Sequence, residues 1–114
     1  MPECIFCRIV ADKTPARRIY EDEELLAFDD LNPKAPVHIL IIPKKHIPSV
    51  LELKEEDRSG IAAALELAGR LAREKELDRS GFRIVTNTGP DAGQTVFHIH
   101  FHLLGGRRLG WPPG

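Results

Sequence analysis

Three imidazoles stand at alternate positions in the run His98-Ile99-His100-Phe101-His102. Successive side chains of an extended chain point to opposite faces, so a strand here turns its histidines one way and Phe97, Ile99, Phe101 and Leu103 the other. One histidine on such a strand reads as a polar position on a half-buried surface. Three on one face read as chemistry, because adjacent imidazolium charges repel and histidine is a rare choice for solubility alone. Imidazole suits a phosphoryl centre. An unperturbed pKa of about 6.5 leaves a neutral nucleophilic nitrogen at pH 7, and a neighbouring ring can donate a proton to a leaving group. Covalent catalysis by histidine then divides one displacement into two.

The segment Gly89-Pro90-Asp91-Ala92-Gly93-Gln94-Thr95 leads directly into this run. It offers backbone N–H groups and the Thr95 hydroxyl to phosphate oxygens, although glycine and proline between strands also make plain turns. The cysteines, Cys4 and Cys7, are spaced CxxC. A reducing compartment argues against a structural disulfide. A zinc site takes such a pair together with imidazoles from elsewhere in the fold, and Cys4, Cys7, His46 and His98 could form one, diverting His98 from catalysis. Unligated thiols near the N-terminus, or a redox pair, are the alternatives.

The elements that must position these groups are short. Ile5, Phe6, Ile9 and Val10 recur at helical spacing between Cys4 and Ala11, with Pro15 closing the segment. Arg17–Tyr20 and Leu25–Phe28 read as a hairpin around Glu21-Asp22-Glu23, and the second strand runs into Asp29-Asp30-Leu31-Asn32-Pro33. Val37–Ile42 is a β-branched run between Pro36 and Pro43, a buried strand whose polar residue is His38. Between Lys54 and Leu77 the residues Ile61, Leu65, Leu67, Ala68 and Leu71 fall on one stripe of a long helix, with Gly60 and Gly69 as weak points. Phe82–Thr86 alternates as a strand, the turn-rich Asn87–Gly93 follows, and a last strand is expected over Thr95–Leu104. About five strands and one main helix give an α+β layout with the helix against one sheet face.

The whole chain agrees with that frame. Its 114 residues suit one domain spanning 1–114. Apolar residues make up 42% and charged ones 29%, so no tract is too polar to fold. A net charge of -1 provides no basic field for a nucleic-acid backbone, so a bound nucleotide is held locally. Neither a secretory signal nor an 18-residue apolar run is evident, which reads as cytoplasmic, away from any membrane.

His98-Ile99-His100-Phe101-His102-Leu103-Leu104 resembles the histidine-triad pattern, His-apolar-His-apolar-His followed by two apolar residues. Ala35-Pro36-Val37-His38, Ile42-Pro43-Lys44-Lys45-His46, Gly93-Gln94-Thr95-Val96 and the stretch from Gly105-Gly106-Arg107 to Trp111-Pro112-Pro113-Gly114 extend the likeness almost end to end. The Trp-Pro-Pro-Gly tail resembles the Hint branch, whose members hydrolyse nucleoside phosphoramidates, more than the branch that cleaves dinucleoside polyphosphates. The resemblance implies a homodimer in which two five-stranded antiparallel sheets join into a ten-stranded one, with the long helix at the interface. It implies His100 as the nucleophile forming a nucleotidyl-histidine, His102 at the phosphate and leaving group, and His38 in support. Asp30 would bind the ribose hydroxyls, and Phe28 and Leu31 would line the base pocket. Asn87, Gly93, Gln94 and Thr95 would surround ribose and phosphate, and Trp111 would reach toward the partner subunit's site. Bacterial-type members carry the CxxC pair with two histidines as a zinc site, which favours the metal here.

Each residue has a plainer role as its alternative. Asp30 and Asn87 could shape turns, Phe28 and Leu31 could be core, and His38 could be a hydrogen-bonded core residue. Thr95 stands where serine is frequent in the family, and Gly110 where a bulkier residue can precede Trp111. Both departures bear on the leaving group. The leading expectation is hydrolysis of a purine nucleoside phosphoramidate or related adenylate, with zinc structural and no cofactor needed for the chemistry. Dinucleoside polyphosphate hydrolysis, and a nucleotide-binding adaptor with slow turnover, are the alternatives.

Overall fold

The computed structural model describes residues 4–114. Residues 1–3 of the expected 1–114 domain lie outside the described residues. The N-terminal helix α1 (Ile5–Val10) starts where the Cys4 sulfur accepts the Cys7 N–H, and it buries Phe6 and Ile9. The hairpin follows as expected, with β1 (Arg18–Glu21) and β2 (Leu25–Asp29) paired antiparallel. Its turn is held by the Asp22 carboxylate, which accepts the N–H groups of Glu24 and Leu25 at 2.8 Å each.

The strand β3 (Val37–Pro43) is buried at every position but Val37, as its unbroken apolar run requires. With β4 (Phe82–Val85) and β5 (Phe101–Gly105) it completes a five-stranded antiparallel sheet in the order β1-β2-β3-β5-β4. The sheet separates two apolar clusters. On one face Leu25, Ala27, Ile39, Ile41, Ile99, Phe101 and Leu103 pack under the long helix α2 (Arg58–Glu74). On the other, Leu26, Phe28, Leu40 and Ile42 pack with Phe6 and Ile9 of α1.

Helix α2 is shorter than the expected 54–77 span. Its apolar stripe narrows to the buried Ala64, Leu67, Ala68, Leu71 and Ala72, and the alanines let the helix lie close on the sheet. Upstream, Glu55–Asp57 form a 3-10 turn in which the Asp57 carboxylate accepts the Lys54 N–H at 2.9 Å. Downstream, Glu76 takes a positive φ of 60° and stops the helix.

The last strand is corrected more substantially. Its ladder begins at Phe101, not Thr95: the loop before it is turned by Gly89 and Gly93 at φ of 85° and 80°, and pairing with β3 and β4 reaches back only to Phe101 and His102. A backbone hydrogen bond from the Ile99 N–H to the Ile47 carbonyl, 2.6 Å, is what attaches it. The side-chain alternation nonetheless holds from Ile99 onward. Phe97, expected on the core face, is 58% exposed because the chain has not yet joined the sheet there. No helix among the described residues is long and apolar enough to cross a membrane.

Candidate active site and metal centre

His38 on β3, His102 on β5 and His100 just before β5 project from the α1 side of the sheet. The rings of His100 and His102 lie 5.0 Å apart, and those of His38 and His102 5.1 Å apart. Their hydrogen-bond partners decide which nitrogen carries each proton. His100 Nδ1 is 2.7 Å from the His98 carbonyl, which can only accept, so Nδ1 is the protonated nitrogen and Nε2 of the neutral ring keeps a free lone pair. The Lys34 N–H donates to His38 Nδ1 at 3.0 Å, so a neutral His38 carries its proton on Nε2. That Nε2–H donates to His102 Nδ1 at 2.9 Å, which leaves the His102 proton on its own Nε2. Side by side, then, stand a nucleophilic nitrogen on His100 and a donor N–H on His102.

His38 and His102 are held neutral at pH 7. Burial, then the charges of His100 and His38, push His102 down to about 4, and burial likewise lowers His38 against the opposing pull of Asp30. Asp30 Oδ2 lies 3.4 Å from His38 Nε2, while its Oδ1 accepts the Asn32 N–H at 2.8 Å and shapes the turn after β2. Phe6 closes the floor, its ring edge-on to His100 at 5.0 Å and to Phe28 at 5.6 Å.

The second constellation gathers Cys4 and Cys7 of α1, His46 from the loop after β3, and His98. Its cross-distances are 3.5 Å (Cys4 Sγ to His98 Nδ1), 3.6 Å (Cys7 Sγ to His98 Nδ1), 3.3 Å (Cys7 Sγ to His46 Nδ1) and 3.2 Å (His46 Nδ1 to His98 Nδ1). Four ligands around one tetrahedral zinc would stand about 3.6 Å apart for sulfur and nitrogen and about 3.3 Å apart for two nitrogens. The residues therefore fit a divalent ion of zinc's size. His98 supports the fit independently. Its Nε2 donates to the Pro43 carbonyl at 2.7 Å, which aims an unprotonated Nδ1 at the sulfurs and fixes the ring in the way metal-bound histidines are fixed. The ring is wholly buried, and burial pushes it down to about 4. Left to itself the Cys7 thiol is a poor acid: burial, the Cys4 hydrogen bond and the Cys4 charge push it up to about 11, a tendency a bound dication reverses.

The remaining expected site residues divide. Phe28 is buried beside Phe6, within reach of the histidine face. Leu31 and Trp111 are 83% and 82% exposed, with the Arg83 guanidinium over the Trp111 ring at 5.9 Å. In the glycine loop, Asn87 Nδ2 donates to the Ala92 carbonyl at 2.8 Å. Gln94 is buried, taking the Gly89 N–H at 2.9 Å and donating to the carbonyls of Pro48 and Val96 at 2.8 and 3.2 Å. Both amides are thus engaged in shaping the loop that Gly93 turns. Thr95 is exposed and lines, with Cys4, Cys7, His46 and Phe97, a cavity of about 820 Å³ beside the thiols. Sequence reasoning missed Phe6, whose helical spacing signalled burial but not its place over His100. It also missed Thr86, whose hydroxyl donates to the His100 carbonyl at 2.8 Å and which had read only as the end of a strand.

A family model of the HIT domain matches residues 11–109. The chain belongs to the HIT domain family. A HIT-like protein of Synechococcus elongatus, named as uncharacterized, is 47% identical over 112 residues, 98% of this chain and 97% of that relative. A HIT family hydrolase from Legionella pneumophila superposes with a TM-score of 0.96 at 46% identity, covering 98% of this chain and all of that one. A histidine triad nucleotide-binding protein from Candida albicans gives a TM-score of 0.82 at 30% identity, over 96% and 83% of the two chains. The architecture is thus the HIT fold, and hydrolase and nucleotide-binding proteins share it.

Proposed function

We propose that this HIT protein hydrolyses purine nucleoside phosphoramidates or related adenylates through a nucleotidyl group carried on His100. The observation that carries the reading is the pair of opposite tautomers: His100 bonded through Nδ1–H to the His98 carbonyl, and His102 accepting at Nδ1 from His38. His100 Nε2 attacks phosphorus and the bond to the amine nitrogen breaks. Bound anionic phosphate favours the imidazolium form of His102, so the amine leaves with a proton from His102 Nε2. The neutral ring that remains is then the base for the water that splits the phosphorus–nitrogen bond to His100, releasing the nucleoside monophosphate and regaining the proton. The buried face that Phe28 and Phe6 form beside Asp30 supports a base and ribose bound there, and Gly93 and Thr95 offer loop donors to phosphate.

Within this reading residues 1–114 act as one domain, and the protein works in the cytoplasm. Zinc is the metal held by Cys4, Cys7, His46 and His98. A closed site of that kind supplies cross-linking of the chain, with no ligand position facing phosphate. The edge strand β4 presents Phe82 and Ile84 partly exposed, which supports pairing of two sheets into one ten-stranded sheet in a homodimer.

Steady-state hydrolysis of adenosine 5′-phosphoramidate by the wild type and by His100→Ala tests the proposal. Turnover reduced by roughly 10⁴-fold in the variant, with adenylyl label trapped on His100 of the wild type, is the expected result. Tight binding of AMP with no turnover by the wild type would instead favour an adaptor.

A further inference from the structure

The nucleophile sits at a place where the sheet no longer holds the backbone. Pairing of β5 with β3 ends at Ile41↔Phe101 and pairing with β4 ends at Val85↔His102, so His100 lies just beyond both ladders. Its ring is oriented by a hydrogen bond to the carbonyl of His98, which is farther outside the sheet. What holds His98 is its own side chain, with Nδ1 turned to Cys4, Cys7 and His46 and Nε2 bonded to the Pro43 carbonyl. Among the described residues, a backbone hydrogen bond in this stretch joins Ile99 to Ile47, and the residues preceding these two are His98 and His46, both members of the metal-binding quartet.

We propose that the Cys4-Cys7-His46-His98 quartet is the positioning device for the nucleophile. The ion draws together the two chain segments and α1, fixes the His98 carbonyl, and through it keeps the His100 proton on Nδ1 and the reactive lone pair on Nε2. Metal occupancy then governs the attack step without any contact between metal and phosphate. Phe6, between Cys4 and Cys7 on the same short helix, ties the ring itself to the quartet through its edge contact with His100. Thr86 braces the segment from the other side through the His100 carbonyl. This inference rests on His100 being the nucleophile. A quartet that merely stabilises the fold would leave the ring and its rate unchanged in any protein that stays folded.

The test compares zinc-loaded protein with protein stripped by a chelator under reducing conditions, with far-UV circular dichroism reporting the fold. Imidazole ¹⁵N spectra report the His100 tautomer, and the pre-steady-state burst from adenosine 5′-phosphoramidate reports the attack. Zinc removal is expected to broaden or lose the His100 Nδ1–H signal and to slow the burst by about tenfold or more with little change in KM, both restored by added zinc. A folded metal-free protein with the same tautomer and burst rate overturns the proposal. Where stripping unfolds the chain, cadmium-loaded protein decides, because its longer bonds displace His98 while keeping the cross-link. A changed burst rate and Nδ1–H shift support positioning, and identical values overturn it. A zinc-loaded protein with a metal-dependent His100 signal but no turnover would remove the phosphoramidase reading and leave the positioning role standing.

Discussion

His38 Nε2 lies 2.9 Å from His102 Nδ1, although the two residues stand 64 positions apart in the chain. The Lys34 N–H at the far nitrogen of His38 makes this contact directional, so β3 dictates the protonation of a ring on β5.

The first consequence concerns the leaving group. Removing the proton donor in His102→Ala should slow hydrolysis of an amine-leaving phosphoramidate by about 10²–10⁴-fold. An adenylate with an acidic phenol as leaving group needs no proton and should lose far less. His38→Ala should show the same selectivity in weaker form, since it releases the tautomer but keeps the donor. Rates for the two substrates across the three proteins check this, and equal losses on both substrates would remove His102 from the role of acid.

A second prediction is thermodynamic. The folded His102 titrates at about 4, below the ordinary value of 6.5, so between these limits the unfolded chain binds more protons. The stabilisation this neutral ring contributes is complete above about pH 6.5 and is lost as pH falls toward 4. Unfolding free energy from urea titration should therefore drop between pH 7.5 and pH 5, with His102 accounting for roughly 2 kcal/mol. The same measurement on His102→Gln should show a visibly shallower pH dependence. Equal slopes in the two proteins would count against a depressed His102.

Gly106 provides a third. It takes φ of 92°, and a Cβ there would stand 2.9 Å from Pro36 Cβ. Gly106→Ala therefore combines backbone strain with a contact no side chain rotation relieves, and should cost about 2 kcal/mol. In a chain of this size that is a fall in Tm of roughly 10 °C by scanning calorimetry. The metal content should be unchanged, since the glycine lies at the opposite end of β5 from the quartet.

Much of this site was legible in the order of residues alone, because side-chain alternation is a local property of extended backbone. It placed Ile99, Phe101 and Leu103 in the core under α2 and His100 and His102 on the other face, and the CxxC pair with two imidazoles marked the quartet the fold assembles. The apolar run of β3, the hairpin and the single long helix were likewise readable from periodicity and turn residues. Where the last ladder begins was not, because glycine conformations in the preceding loop and one bond from Ile99 to Ile47 decide it, and that is why Phe97 faces solvent. Nor did spacing reveal that the amides of Asn87 and Gln94 are occupied in holding their own loop. Which nitrogen carries the proton in His100 and in His102 belongs wholly to the tertiary structure. It depends on which carbonyl or N–H each far nitrogen meets, the His98 carbonyl for one and, through His38, the Lys34 N–H for the other, and such meetings are settled only when distant strands pack.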